Sequence, residues 1–206
     1  MADYKYDNPD DAYKEAQRRI KRAKDESANV LDLGRLGLTA VPHEIEQLTE
    51  LTFLDLIDNQ LTTVPPEIGQ LTKLTNLYLN QNQLTSISPQ IGQLKRLKYL
   101  YLSENQLSAV PSEIGQLTEL KDLRLWDNQL TALPAEITLL TKLEYFSLDY
   151  NPGLPIPPEI VVQAGNAQAI LDYLRERQEA PARPLNEAKL ILVGQGGVGK
   201  TSLVRR

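Results

Sequence analysis

Residues 51–61 read Leu51-Thr52-Phe53-Leu54-Asp55-Leu56-Ile57-Asp58-Asn59-Gln60-Leu61, and the same pattern recurs every 23 residues, once upstream and four times downstream. One column holds Leu31, Leu54, Leu77, Leu100, Leu123 and Phe146; two positions on stand Leu33, Leu56, Leu79, Leu102, Leu125 and Leu148. Leu38, Leu61, Leu84, Leu107 and Leu130 form a third column, and Val41, Val64, Ile87, Val110, Leu133 and Ile156 a fourth. Ile45, Ile68, Ile91, Ile114, Ile137 and Ile160 form a fifth. Asn59, Asn82, Asn105, Asn128 and Asn151 stand in one file, with Leu36 as the exception in the first unit. So many columns in one register, with no insertion between units, exclude coincidence.

Physical chemistry assigns each column a place. In residues 53–57 a short strand points Leu54 and Leu56 inward, because successive side chains of a strand alternate faces. The chain turns at the Asn, whose amide can satisfy backbone groups that a regular ladder would otherwise pair. Prolines such as Pro65 and Pro66 then impose an extended return and exclude a long helix. One unit cannot cover its own leucines, so neighbours must stack on it. The pattern L-x-x-L-x-L-x-x-N-x-L resembles the leucine-rich repeat, whose period is roughly 20–29 residues. The expected fold is an α/β solenoid: a leucine-rich-repeat horseshoe of six 23-residue repeats, with a parallel concave sheet and N- and C-terminal capping helices.

The ends of such a stack need covers. Asn8-Pro9-Asp10-Asp11 is a helix start, with Asn as N-cap, Pro at the first position and acids near the positive end of the dipole. Ala12, Ala16, Ile20 and Ala23 give that helix an apolar stripe. At the other end Ala167, Ile170, Leu171 and Leu174 follow helical spacing, so a closing helix is expected near 166–178. The resulting division is a tail and capping helix over 1–28, repeats over 29–163, a closing helix over 164–179, a linker over 180–188 and a separate segment over 189–206.

That last segment carries chemistry. Gly194, Gly199, Lys200 and Thr201 fill G-x-x-x-x-G-K-[ST], the phosphate-binding loop of nucleotide hydrolases, directly after a buried-strand pattern, Lys-Leu-Ile-Leu-Val, at 189–193. Glycines there let backbone N–H groups turn toward phosphate oxygens, aided by the start of the next helix. The remainder of a nucleotide domain does not follow, so the sequence reads as stopping inside a GTPase or ATPase.

Composition bounds the rest. There is no cysteine, so no thiolate metal site or disulfide-capped end is possible, which suits a reducing, cytoplasmic setting. No apolar run approaches about 18 residues, and the N-terminus does not read as a signal peptide. A net charge of −5 argues against nucleic acid as the main partner. The basic run Arg18, Arg19, Lys21, Arg22 and Lys24 reads as solvated surface near a helix C-terminus. His43, the only histidine, reads as a surface residue. Glu44, Glu67, Glu113, Glu136 and Glu159 share one register and are repeat features, not an acid–base pair; Gln60, Gln83, Gln106 and Gln129 suggest a hydrogen-bonding ladder. No Ser-His-Asp set can be assembled, so no catalytic residue is assigned and the chain is not read as an enzyme.

The outward positions of the strands give the candidate contact surface. Phe53, Asp55, Tyr78, Tyr99, Tyr101, Arg124, Trp126, Tyr145 and Asp149 fall on the concave side, including half of the twelve aromatic residues. Aromatics suit strands on propensity alone, but Trp, Tyr and Arg also dominate binding hot spots. Acids on or beside the face (Asp32, Asp55, Asp58, Glu104, Asp122, Asp127, Asp149) suggest a partner that is basic or rich in hydrogen-bond donors.

Repeats of the form Ile-Gly-Gln-Leu-Thr, the helical stretch Gly-Asn-Ala-Gln-Ala-Ile-Leu-Asp-Tyr-Leu at 165–174, and then Lys-Leu-Ile-Leu-Val-Gly-Gln-Gly-Gly-Val-Gly-Lys-Thr-Ser together resemble the start of a Roco protein, a bacterial member in particular. In that family leucine-rich repeats precede a Ras-like Roc GTPase domain and a COR dimerisation domain, so 189–206 would begin the Roc domain. The resemblance implies that Gly194, Gly196, Gly197, Val198, Gly199, Lys200, Thr201 and Ser202 belong to the nucleotide site. Lys200 would reach the β- and γ-phosphates, Thr201 would hold Mg²⁺ and Ser202 would lie near the α-phosphate. GTP or GDP and Mg²⁺ are then cofactors of the full-length parent alone, since a loop without its sheet is not preorganised. Two functions follow: a regulator that folds back on the GTPase and COR parts and tunes the nucleotide cycle or dimerisation, or a receptor for a separate protein with the GTPase as output. The two prolines of the linker, Pro181 and Pro184, limit its reach and favour a defined placement. This chain would be a monomer and the parent a homodimer, with no nucleic-acid or membrane partner.

Overall fold

Six three-residue strands form one parallel sheet in strict chain order: β1 Val30–Asp32, β2 Phe53–Asp55, β3 Asn76–Tyr78, β4 Tyr99–Tyr101, β5 Asp122–Arg124 and β6 Tyr145–Ser147. This computed structural model describes residues 5–6, 8–161 and 167–179. Partners stand one repeat apart throughout, as in Val30 with Phe53 and Leu54 with Leu77. The strands are shorter than the 53–57 reading, yet the ladder runs on past them: the Leu56 N–H donates to the Tyr78 carbonyl (2.9 Å) and Asp58 N–H to Asn80 (3.1 Å).

The first five return segments each end in a five-residue 3-10 helix: His43–Gln47, Pro66–Gln70, Pro89–Gln93, Ser112–Gln116 and Ala135–Leu139. The residue before each is extended, and in four of the five it is a proline. These turns stack with no space between them. A Cβ added at Gly92 would lie 2.9 Å from the Glu113 carbonyl oxygen, and one at Gly115 2.5 Å from that of Glu136. The glycine of Ile-Gly-Gln is therefore a close-approach residue. In the turn over Ala135–Leu139 the same column holds Thr138, because the next neighbour is a helix rather than another turn.

The core is one continuous column of buried leucines, isoleucines and valines, with Phe146 completing the leucine file in the last repeat. Asparagine amides seal it. Asn82 Nδ2 donates to the Leu56 carbonyl of the preceding repeat (2.9 Å) and the Leu79 carbonyl of its own (3.0 Å), while Oδ1 accepts from Leu61 N–H (3.0 Å). Asn59, Asn105, Asn128 and Asn151 do the same. The amide always reaches backward, which explains Leu36: no repeat precedes the first, and an apolar residue fits there, fully buried in the same core as the capping helix. The glutamine file makes no side-chain ladder among the described residues. Only its backbone does, as in Gln83 N–H to Leu61 (2.9 Å). The side-chain ladder belongs to asparagine.

Just before each position of the asparagine file, Leu36 included, the backbone turns left-handed at Arg35, Asp58, Gln81, Glu104, Asp127 and Tyr150, with φ between 54° and 58°. Such a φ is unusual for residues with a Cβ. At the first five of these positions the N–H enters the ladder, as Glu104 N–H does toward Trp126 (3.0 Å); Tyr150 keeps the same φ with no ladder partner among the described residues.

Helix α1 (Pro9–Asp25) closes the first repeat, burying Ala12, Ala16, Ile20 and Ala23, and Asn8 Oδ1 accepts from Asp10 N–H (2.9 Å). Two members of its basic run also act as surface tethers. Arg19 Nη1 donates to the Asp32 carbonyl (2.8 Å) and Lys24 Nζ to Gln47 (2.6 Å). After β6 come a single turn, α2 (Pro158–Val161), and a longer helix, α3 (Ala167–Glu179). Ala167, Ile170 and Leu171 of α3 are buried, and Arg175 Nη2 donates to the Thr138 carbonyl (3.0 Å).

Candidate protein-recognition surface

The outward side chains of the strands join into one file across the sheet. Tyr78 and Tyr101, one repeat apart, stack with ring centroids 4.4 Å apart and planes within 3°. Phe53 meets Tyr78 edge-on at 5.0 Å. The Arg124 guanidinium lies 4.2 Å from the Tyr101 ring centre and 5.1 Å from that of Tyr145. Parallel strands in register place equivalent positions side by side, so one aromatic per repeat becomes a ribbon of contacts. All these rings are half-buried, each covered by its neighbours and open on one side.

Asp122 fixes this file. Its carboxylate accepts from Arg124 Nε (3.2 Å) and Nη2 (3.0 Å) and from the Tyr101 hydroxyl (3.0 Å). Burial, then the hydrogen bond to Asp122, pushes the Tyr101 phenol far above its ordinary range, so it stays a neutral donor. The bond to Asp122 also raises Arg124, which is a fixed cation. Asp122 is 8% exposed, deeper than a solvated acid on the face would be. Ser103 and Ser147, also at outward positions, are buried too, and their hydroxyls have no hydrogen-bond partner. Alternation settles direction but not depth, because larger side chains from adjacent strands lie over the small ones.

The first two strands differ. Asp32 and Asp55 stand side by side, each accepting a backbone N–H two residues on, from Gly34 and Ile57 (2.8 Å each). Burial raises the Asp55 pKa, the Ile57 N–H opposes it, and Asp32 raises it further. The face therefore runs from an acidic corner, through a tyrosine stack, to a clamped arginine.

Phe53, Tyr78, Tyr101, Arg124 and Tyr145 touch one another in series, and Asp55 sits beside Tyr78 through strand pairing. Tyr99 occupies the first outward position of β4, paired with Asn76 and Asp122. Trp126 and Asp149 lie in the third outward column and are half-buried. The positions that the sequence reading did not single out are Asp122 as the clamp and Tyr150, which is 79% exposed at the far rim. Only membership of the left-handed column could have shown the latter. His43 is exposed, beside Glu44 (3.5 Å). The nucleotide-loop residues from Gly194 to Ser202, including the Mg²⁺ position Thr201, lie outside the described residues. Among the described residues no group of His, Cys, Asp and Glu is arranged to hold a metal, and no helix is long and apolar enough to cross a membrane.

Two family profiles match the chain, one described as a leucine-rich repeat region over 85–161 and one as two copies of leucine-rich repeats over 49–91. This is a leucine-rich-repeat domain. Its repeats are similar to a leucine-rich-repeat protein of Leptospira interrogans: 43% identity, TM-score 0.61, 66% of this chain and 34% of that one covered. They are also similar to the ectodomain of a plant membrane receptor kinase, GASSHO1/SCHENGEN3 of Arabidopsis thaliana, solved in complex with Casparian strip integrity factor 2. There the identity is 36% and the TM-score 0.57, over 63% of this chain and 16% of that one. The leucine-rich-repeat chain thus spans about a third of the first relative and about a sixth of the second. No curated protein sequence matches it.

Proposed function

We propose that the concave face of this leucine-rich-repeat domain is a protein-binding surface that regulates a Roco-type GTPase, contacting its Roc and COR parts and tuning the nucleotide cycle or dimerisation. The observation that carries the reading is the Phe53–Tyr78–Tyr101–Arg124–Tyr145 file, pre-ordered by Asp122. Aromatic rings and a guanidinium held in place lose little entropy on contact, and such residues dominate binding energies. Leucine-rich-repeat proteins in general mediate protein–protein interaction. The GTPase assignment draws support from the sequence resemblance at 189–206, with GTP or GDP and Mg²⁺ held by the parent through residues 194–202, in a cytoplasmic homodimer.

A second reading is a receptor for a separate protein, with the GTPase as output. The Arabidopsis relative, whose repeats were solved with a bound factor, favours keeping it. Calorimetric titration of this chain against the separately produced GTPase–COR part, in GDP and GTP-analogue forms, separates the two. The regulator reading expects nucleotide-dependent binding that Tyr101→Ala with Trp126→Ala weakens about a hundredfold, the loss of two hot-spot residues. Absence of binding in both nucleotide states overturns it in favour of the receptor.

A further inference from the structure

Five successive rungs show how each repeat receives the next, and the sixth keeps the same groups with no backbone partner among the described residues. Leu33, Leu56, Leu79, Leu102 and Leu125 each donate their N–H to the following repeat, ending with Leu125 to Ser147 (3.0 Å). Arg35, Asp58, Gln81, Glu104 and Asp127 do likewise, ending with Asp127 to Asp149 (2.8 Å). The carbonyls of Asn29, Thr52, Thr75, Lys98 and Lys121 accept two N–H groups each from the next repeat. The equivalents in the sixth repeat are Leu148 N–H, Tyr150 N–H and the Glu144 carbonyl, and none has a backbone partner among the described residues. The Leu125 carbonyl accepts from two asparagines, Asn128 and Asn151, whereas that of Leu148 accepts from Asn151 alone.

Beside this edge opens a cavity of about 590 Å³, lined by Leu148, Tyr150, Leu154, Ile156 and Val161 among others. Helix α3 packs on the last 3-10 turn and β6 without filling it. Unpaired backbone donors next to an apolar recess define the chemistry of what fits: an extended backbone for the edge, with apolar side chains at alternate positions for the recess.

We propose that the free edge of β6 takes an extended segment of a partner protein as a seventh rung, parallel to β6. The segment presents two apolar residues two positions apart and an asparagine three residues after the second, as Leu123, Leu125 and Asn128 do on the preceding rung. Its strand carbonyls accept from Leu148 and Tyr150, and its asparagine amide donates to the Leu148 carbonyl. A second copy of this chain is a poor occupant. Head-to-tail stacking would need the outer edge of β1, which is covered by Arg19 of α1 on the Asp32 carbonyl (2.8 Å) and by Lys5 N–H, ahead of that helix, on the Arg35 carbonyl (2.9 Å). The edge is distinct from the aromatic file, and its occupant need not be the partner of the concave face.

The probe is a synthetic peptide copying residues 117–131 of this sequence, titrated into the 206-residue chain while amide exchange is followed residue by residue. The expected result is saturable binding that slows exchange at Leu148 and Tyr150 at least about tenfold. A peptide with aspartate in place of both strand leucines should not bind, and Ile156→Asp in the chain should weaken binding about tenfold, or 1.4 kcal/mol. The exchange result on the unaltered chain does not depend on the variant folding. Failure of the peptide to bind, or binding that leaves Leu148 and Tyr150 unprotected, overturns the proposal. So does protection that rises with chain concentration without peptide, which would make a second copy the occupant.

Discussion

The two ends of the solenoid meet the same problem, an exposed last rung, and treat it differently. At the N-terminal end α1 lays Ala12, Ala16 and Ile20 over the first repeat, while Arg19 and Lys5 take carbonyls of the segment that β1 begins. At the C-terminal end α3 covers the flank of the stack but, among the described residues, leaves the N–H groups of Leu148 and Tyr150 without backbone partners beside an apolar recess. Stacked repeats gain stability from their neighbours, so a covered end is a stability device and an open one a binding edge. The residue types follow that division. Small alanines let α1 lie close to the stack, whereas Tyr150 is exposed and Ile156 only half-buried.

Introducing a charge at each end breaks the comparison most sharply. Ala16→Asp buries a carboxylate with no partner at the closed end and should cost at least about 3 kcal/mol. Ile156→Asp, half-buried at the open end, should cost less than about 1 kcal/mol. Urea unfolding of both variants checks the contrast, and equal losses would remove it. Between the ends, Gly92→Ala pushes a Cβ toward the Glu113 carbonyl and should destabilise by about 2 kcal/mol, the cost of overpacking, with the loss read in thermal unfolding. Arg19→Ala removes a charge-assisted bond to the Asp32 carbonyl and should cost about 1 kcal/mol. Hydrogen exchange should localise that loss to the first repeat.

Asp55 supplies the smallest effect and a pH signature. Its folded pKa lies above the unfolded value, so its ionisation opposes folding. That cost is absent in acid, grows as pH rises through the ordinary aspartate range, and is complete above the folded pKa. Asp55→Asn, which keeps an acceptor for Ile57 N–H, should therefore stabilise by on the order of 0.5 kcal/mol at neutral pH and by nothing in strong acid. A gain that is the same in acid and at neutral pH would assign the effect to something other than charge.

Much of this architecture is legible in the sequence because its physics is periodic. A leucine that recurs every 23 residues has one place to go, and strand alternation then puts Tyr78, Tyr101 and Arg124 on the opposite face. The apolar stripes at Ala12–Ala23 positions and at Ala167, Ile170 and Leu171 are legible for the same reason. What periodicity does not carry is the reach of a side chain between repeats. That the Asn amide bonds backward, that Gly92 faces the Glu113 carbonyl, and that Asp122 sinks beneath Arg124 all depend on the spacing of stacked units. The glutamine file misleads because an exposed column can recur for solvation while only its backbone bonds. The basic run of α1 misleads in the opposite way: Arg19 is charged, near a helix end, and still a tether.

Residue-resolved hydrogen exchange on the free chain tests the contrast between the ends most directly. Arg35 and Asp58, near the covered end, and Leu125 and Asp127, one rung inside the open end, should exchange slowly. Leu148 and Tyr150, in the same two columns, should exchange at least about a hundredfold faster, as unpaired amides do. Equal protection of Leu148 and Leu125 in the free chain would contradict an open end.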